Sequence, residues 1–183
     1  MSVGDWKTML VLGGIRSGKS EFAELLVSDV ATVTYVATAR LGGGDEEDPG
    51  WAERVAAHRR RRCASWTTVE IGADPGRLPK LVAEAKPDDV LLVDDLGGWV
   101  TALLGHSSDA DGVPETTDGF VEATTALVAA VRECSARLVL VSPEVGLSVV
   151  PATSAGQVFA DFLGVTNRAV ADACDAVVLV VAG

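Results

Sequence analysis

The segment Gly13-Gly14-Ile15-Arg16-Ser17-Gly18-Lys19-Ser20 fits the spacing G-x-x-x-x-G-K-[ST]. Gly13 and Gly18 allow backbone angles that a Cβ obstructs, so the loop amides can turn inward onto phosphate oxygens. A helix following the loop adds the positive end of its dipole. In this pattern Lys19 reaches the β- and γ-phosphates of a nucleoside triphosphate, and the Ser20 hydroxyl binds Mg²⁺. The plain alternative is a glycine-rich turn that matches by chance. An apolar run, Thr8–Leu12, precedes the loop and a helix-forming segment, Glu21–Val27, follows it, which argues for phosphate binding.

A second feature supports the first. Val90-Leu91-Leu92-Val93-Asp94 places a carboxylate at the C-terminal end of a buried strand, the edge where ligands bind in parallel α/β sheets. Asp94 is then a candidate Mg²⁺ ligand, directly or through water, with Asp95 as its neighbour and rival. A solvated turn aspartate is the competing reading.

The third feature is a histidine among arginines. Of the two histidines, His106 lies in a polar stretch and reads as incidental. His58 lies in Pro49–Arg62, where Asp48 can act as N-cap and Pro49 as first helical residue. That helix sets Arg54, His58 and Arg62 at i, i+4 and i+8 on one face, beside an apolar stripe of Trp51 and Val55. A neutral imidazole is a competent nucleophile. Nearby guanidinium groups oppose its protonation and would neutralise the phosphates it attacks. An ordinary histidine on a solvated basic helix fits the same residues.

Composition bounds these readings. The 183 residues suit one domain, taken as a single nucleotide-binding catalytic domain over 1–183. With 48% hydrophobic and 22% charged residues, the chain is a folded globular protein. A formal net charge of −11 argues against broad nucleic-acid binding. Arg54 and Arg59–Arg62 supply one third of the 15 Lys and Arg residues, so the positive charge is concentrated, as a local anionic ligand requires. No apolar run approaches the roughly 20 residues of a membrane span. Met1–Lys7 lacks the order of a signal peptide. The cysteines Cys63, Cys134 and Cys174 are odd in number and far apart, which fits a reducing cytoplasmic compartment and core packing rather than catalysis.

The elements that must carry these residues alternate. Strands are expected at Thr8–Leu12, Val33–Thr38, Thr67–Ile71 (the weakest), Val90–Val93, Leu138–Ser142 and Ala176–Val181. Helices are expected at Glu21–Val27, Gly76–Lys86 (stopped by Pro87-Asp88), Phe120–Cys134 and Ser154–Ala173, besides Pro49–Arg62. Continuous Val/Leu/Ile strands belong to a parallel sheet buried on both faces. The expected fold is a three-layer α/β P-loop NTPase domain, RecA-like, with a largely parallel sheet flanked by helices. Leu41–Gly50 and Gly105–Gly119 read as loops.

Taken together, these segments resemble the bifunctional adenosylcobinamide kinase / adenosylcobinamide-phosphate guanylyltransferase family of cobalamin biosynthesis, nearly end to end. The likeness runs from Leu10–Ser20 through Tyr35-Val36-Ala37-Thr38-Ala39 to Arg54-Val55-Ala56-Ala57-His58-Arg59-Arg60-Arg61-Arg62 with Trp66–Glu70. It continues with Val93-Asp94-Asp95-Leu96 and Trp99, then Glu144-Val145-Gly146-Leu147 and Pro151, and ends with Phe159-Ala160-Asp161, Gly164 and Asn167-Arg168. The loop alone is generic; His58–Glu70 combined with Glu144-Val145-Gly146 is specific.

The resemblance implies two reactions: phosphorylation of adenosylcobinamide by ATP or GTP, then transfer of GMP from GTP through a guanylyl-histidine, at His58 by motif match, to the cobinamide phosphate. It implies nucleotide contacts at Gly13–Ser20, at Ala37, Thr38 and Ala39, at Arg59, Arg60, Arg61 and Arg62, and at Glu70 and Asp94. Lys19 and His58 would be the catalytic groups, and Ser20 and Asp94 would hold Mg²⁺. It also implies a homotrimer, for which the helix bearing His58 is a natural subunit contact. Two other readings share the phosphate loop: a P-loop small-molecule kinase without a histidine intermediate, and a GTP-binding regulatory module without catalysis. The chain departs from the family pattern at Pro143 (a polar residue expected), Gln157 (Arg expected), Gly97-Gly98 (bulkier residues expected) and Cys63 (Pro commoner). The missing arginine at 157 bears on a substrate or subunit contact.

Overall fold

The computed structural model describes residues 5–38, 65–72, 74–107, 117–147 and 151–183. The expected helix over Pro49–Arg62, the loop Leu41–Gly50, Ala39, Cys63 and His58 with Arg59–Arg62 all lie outside the described residues.

Among the described residues six strands form one sheet: β1 (Thr8–Gly13), β2 (Thr34–Ala37), β3 (Thr67–Glu70), β4 (Val90–Asp94), β5 (Arg137–Pro143) and β6 (Ala176–Val180). Their order is β3-β2-β4-β5-β1-β6, and every pairing is parallel. The described helices are α1 (Lys19–Leu26), α2 (Arg77–Ala83), α3 (Leu96–Ser107), α4 (Asp118–Glu133) and α5 (Ser154–Ala171). All six expected strands are present, within a residue or so of the expected bounds.

The central strands are apolar on both faces because both faces are covered. Met9, Val11, Leu92, Val139 and Val141 pack toward Ala23 and Val27 of α1 and its junction with β2. The alternate residues Leu10, Leu91, Val93, Leu138 and Leu140 pack toward α2, α3, α4 and α5. This two-sided burial is the three-layer arrangement expected for continuous β-branched strands.

Helix α3 is a correction. The sequence pattern predicts no helix over 96–107 and a loop from Gly105, whereas the helix runs through Ser107. Gly97, Gly98 and Gly105 weaken intrinsic propensity by about 1 kcal/mol each relative to Ala. Tertiary contacts override this. Leu96, Trp99 and Val100 are completely buried, and the Trp99 indole donates to the Pro75 carbonyl at 2.8 Å. Removing one buried side chain of the size of Trp99 costs about 3–5 kcal/mol, at least as much as the glycines together. At the other end of the sheet, the Asp175 carboxylate accepts from the Lys7 and Thr8 amides (2.9 and 2.8 Å) and from the Thr8 hydroxyl (3.1 Å), fixing the start of β1.

Candidate active site

In a parallel sheet all C-terminal strand ends share one edge. Here that edge carries Glu70, Ala37, Asp94, Pro143, Gly13 and Val180 in spatial order. The glycine-rich loop leaves this edge from β1. Arg16 takes φ 59° and Gly18 φ 90°, and the Ser17 amide donates to the Gly14 carbonyl at 3.2 Å, which curls the loop. Gly18 caps α1, and the Phe22 amide donates to its carbonyl at 2.9 Å. A Cβ on Gly13 would lie 2.3 Å from Ser17 Oγ and 2.7 Å from the Val180 carbonyl, so the first glycine of the motif is required sterically. Gly14, Ile15 and Arg16 are exposed, while the buried Ser17 hydroxyl has no hydrogen-bond partner among the described residues.

Lys19 opens α1, and its ammonium donates to the Gly14 carbonyl at 3.4 Å, folding back over the loop. The Ser20 hydroxyl donates to Asp94 Oδ1 at 3.3 Å. These two oxygens are hard donors at the mouth of the loop, the set that suits Mg²⁺ completed by phosphate oxygens and waters. Among the described residues no group of three or more His, Cys, Asp or Glu side chains forms a metal cage.

The structure separates the two rival aspartates. Asp94 faces Ser20, and its Oδ2 accepts from the Tyr35 hydroxyl at 2.6 Å. Asp95 turns to α3, where its Oδ1 accepts from the Gly98 amide at 2.8 Å, the bond of an N-terminal cap. Burial, and next the charge of Asp94, push the Asp95 carboxyl up to about 6; the Gly98 amide and Lys19 oppose this. Tyr35 is a site residue that sequence reasoning misses. It sits in an apolar β-branched run and is 2% exposed, so its type and pattern read as core.

Ala37 pairs with Asp94 across β2 and β4, directly beside the site. Thr38 is fully buried, and its hydroxyl donates to the Asp95 carbonyl (2.5 Å) and accepts from the Asp95 amide (3.0 Å). Thr38 thus pins the aspartate turn. Glu70 ends the edge strand β3, four strand positions from β1, or about 19 Å at ~4.8 Å per strand. It shares the edge with the phosphate loop without lying beside it. Glu144 follows β5; its amide donates to the Gly13 carbonyl (3.0 Å), and its carboxylate accepts from the Gly146 and Leu147 amides (2.8 and 3.1 Å). Gln157 donates to the Pro151 carbonyl at 3.0 Å, so it closes its own helix start.

A curled glycine loop between a strand and a helix, with a serine facing an aspartate on a neighbouring parallel strand, defines a P-loop nucleotide-binding α/β protein. A solved structure of "a prototypical ATPase from the type III secretion system of pathogenic bacteria" shares this fold, with a TM-score of 0.57 at 12% identity over 94% of this chain. The chain spans about half the length of that structure, covering 50% of it. The family model "cobinamide kinase / cobinamide phosphate guanyltransferase" matches residues 9–183, and the chain belongs to that family. Among its relatives, the bifunctional adenosylcobalamin biosynthesis protein CobP of Pseudomonas aeruginosa PAO1 is 39% identical over 176 residues, 95% of this chain and 92% of the relative. The bifunctional adenosylcobalamin biosynthesis proteins CobU of Salmonella typhimurium LT2 and Escherichia coli K12 are 35% and 36% identical, each over 96% of both chains. Among the described residues no helix is long and apolar enough to cross a membrane.

Proposed function

We propose that this chain carries out both reactions of its family on adenosylcobinamide, with one phosphate loop serving both. The observation that carries the reading is the Ser20–Asp94 pair beside Lys19, at the edge of a chain whose relatives match it at nearly full length. In the first reaction the aminopropanol hydroxyl oxygen attacks the γ-phosphorus of ATP or GTP and the nucleoside diphosphate leaves. In the second, an imidazole nitrogen of His58 attacks the α-phosphorus of GTP and pyrophosphate leaves. A phosphate oxygen of the cobinamide phosphate then displaces His58 from that phosphorus to give adenosylcobinamide-GDP.

Gly13, Gly14, Ile15, Arg16, Ser17 and Gly18 present loop amides to the phosphates, and Lys19 neutralises charge as it builds on the transferred group. Mg²⁺, held by Ser20 and Asp94, would supply further neutralisation. Ala37, Thr38, Ala39 and Glu70 are assigned to the nucleoside end, and Arg59, Arg60, Arg61 and Arg62 to its phosphates beside His58. The enzyme acts in the cytoplasm as a homotrimer, a reading supported by the family resemblance and by the exposed apolar side chains Val177, Leu179 and Val181 at the outer strand.

The test uses GTP labelled at the α-phosphorus. The wild-type protein takes up label that survives base and is lost in acid, as a phosphorus–nitrogen bond requires; His58→Ala takes up none. Label retained in His58→Ala reassigns the nucleophile, and an unlabelled wild type defeats the transferase reading.

A further inference from the structure

Two residues that the sequence marks as separate departures from the family pattern touch in the fold. Gly97 is the second residue of α3, and Pro143 ends β5. A Cβ built on Gly97 would lie 2.8 Å from Pro143 Cγ, 3.1 Å from Pro143 Cδ and 3.2 Å from Asp95 Oδ1. The proline ring therefore rests on the bare Cα side of the glycine. Neither ring atom has an easy escape, because Pro143 is held on its other sides. It pairs in register with Gly13 of the phosphate loop, and the next amide, Glu144, donates to the Gly13 carbonyl at 3.0 Å. The Pro143 carbonyl accepts from Asn167 Nδ2 of α5 at 2.9 Å, and Asn167 Oδ1 accepts from the buried Ser142 hydroxyl at 2.6 Å.

Proline also removes a donor. Along the β4–β5 ladder the Arg137 amide donates to the Asp89 carbonyl. The register runs to Asp94 opposite Val141, so that ladder ends before position 143, where a residue without an N–H is accommodated. The Asp95 carbonyl turns into α3 instead, accepting from the Trp99 amide at 3.4 Å and, from the β2 side, from the Thr38 hydroxyl. Thr38, Asp95, Gly97 and Pro143 thus form one unit at the turn that carries Asp94, and the pair sets the spacing between β5, which abuts the phosphate loop, and the start of α3.

We infer that Gly97 and Pro143 are a complementary pair of positioning residues that seats the Asp94-Asp95 turn against the phosphate loop. A side chain at 97 requires a smaller residue at 143. With proline at 143, even a methyl group at 97 pushes the first turn of α3 and the Asp95 cap away from Lys19 and Ser20.

The test is a double-mutant cycle of Gly97→Ala, Pro143→Ala and the double variant. It is read by the melting temperature and by kcat and KM for the triphosphate in cobinamide phosphorylation. Gly97→Ala is expected to lower kcat about tenfold or more while KM moves less than about threefold, because the turn faces the transferred phosphate more than the bound nucleotide. The double variant is expected to recover most of that loss. In melting temperature, Gly97→Ala is expected to cost several degrees with Pro143 present and much less in the Pro143→Ala background. This second readout needs no turnover, so it stands apart from the functional proposal, which an inactive wild type would overturn. Should Gly97→Ala fail to fold, a folded and active double variant supports the pair. A double variant no better than Gly97→Ala, or a Gly97→Ala enzyme with kcat and melting unchanged, overturns it.

Discussion

Tyr35→Phe isolates one hydroxyl. The ring lies in the core with Met9, Val11, Leu92 and Val139, and the substitution leaves that packing in place. It removes the 2.6 Å bond to Asp94 Oδ2. A hydrogen bond to a charged acceptor contributes about 1.5–3 kcal/mol. Asp94 is only half-buried, so water can partly replace the lost donor, which argues for the low end, about 1.5 kcal/mol. In a chain of this size that lowers the melting temperature by about 3–6 °C. The functional effect should be larger than the stability effect. Asp94 keeps its Ser20 contact but loses a hydroxyl that helps to orient it, and loss of such a supporting bond typically weakens metal affinity or activity by about 10- to 100-fold. The assay is thermal melting together with a Mg²⁺ titration of nucleotide binding and of turnover. In an Asp94→Ala background, Tyr35→Phe should cost clearly less than in the wild type, because the bond to Asp94 is already gone. A Tyr35→Phe enzyme with an unchanged Mg²⁺ requirement, or the same loss of stability in both backgrounds, would refute the role given to this bond.

Lys19→Ala should reduce turnover about 100-fold or more, since a preorganised cation on the transferring phosphate is lost. The bond it gives up, to the Gly14 carbonyl, is exposed and 3.4 Å long, so melting should stay within about 1 °C of wild type; steady-state kinetics alongside calorimetry separates the two effects, and an active variant contradicts the phosphate-loop assignment. Asp175→Ala should lower stability in a pH-dependent way. Backbone bonds from Thr8, then Lys7, hold the Asp175 carboxyl below its ordinary 3.8, so its contribution is present above that value and is lost as pH falls through the lower folded value. Melting curves of wild type and variant should therefore differ at neutral pH and converge in strong acid; a gap that persists in acid refutes the linkage.

Much of the fold is legible because its signals are local and repeated. Each central strand is a continuous β-branched run, and two-sided burial is what lets such runs do without a polar face. The phosphate loop is legible because its demand is steric: the collision of a Cβ on Gly13 with the Val180 carbonyl permits little besides glycine. Helix α3 is not legible, for a related reason. Its core side chains Leu96, Trp99 and Val100 sit among three glycines, and its support comes from the Asp95 cap and from the Pro75 carbonyl, 24 residues before Trp99. Periodicity has little to detect when a helix is apolar on most sides and held by distant partners.

The same distinction explains the site. Lys19, Ser20 and Asp94 can be assigned from spacing because each sits at a fixed offset from a strand end. The groups that orient them cannot. Tyr35 reaches Asp94 from a strand 59 residues away in sequence, and Thr38 reaches Asp95 from 57. Pro143 meets Gly97 only because β5 lies next to β4 in the sheet. What connects them is register, which a single sequence does not display. Once the strand order is known, Gly97-Gly98 and Pro143 cease to be two unrelated oddities. A glycine in the first turn of a buried helix is costly by propensity, and a proline at the end of a central strand brings a rigid ring and no N–H. The ring rests where the glycine has no Cβ, and the turn they hold in place is the one that brings Asp94 to Ser20.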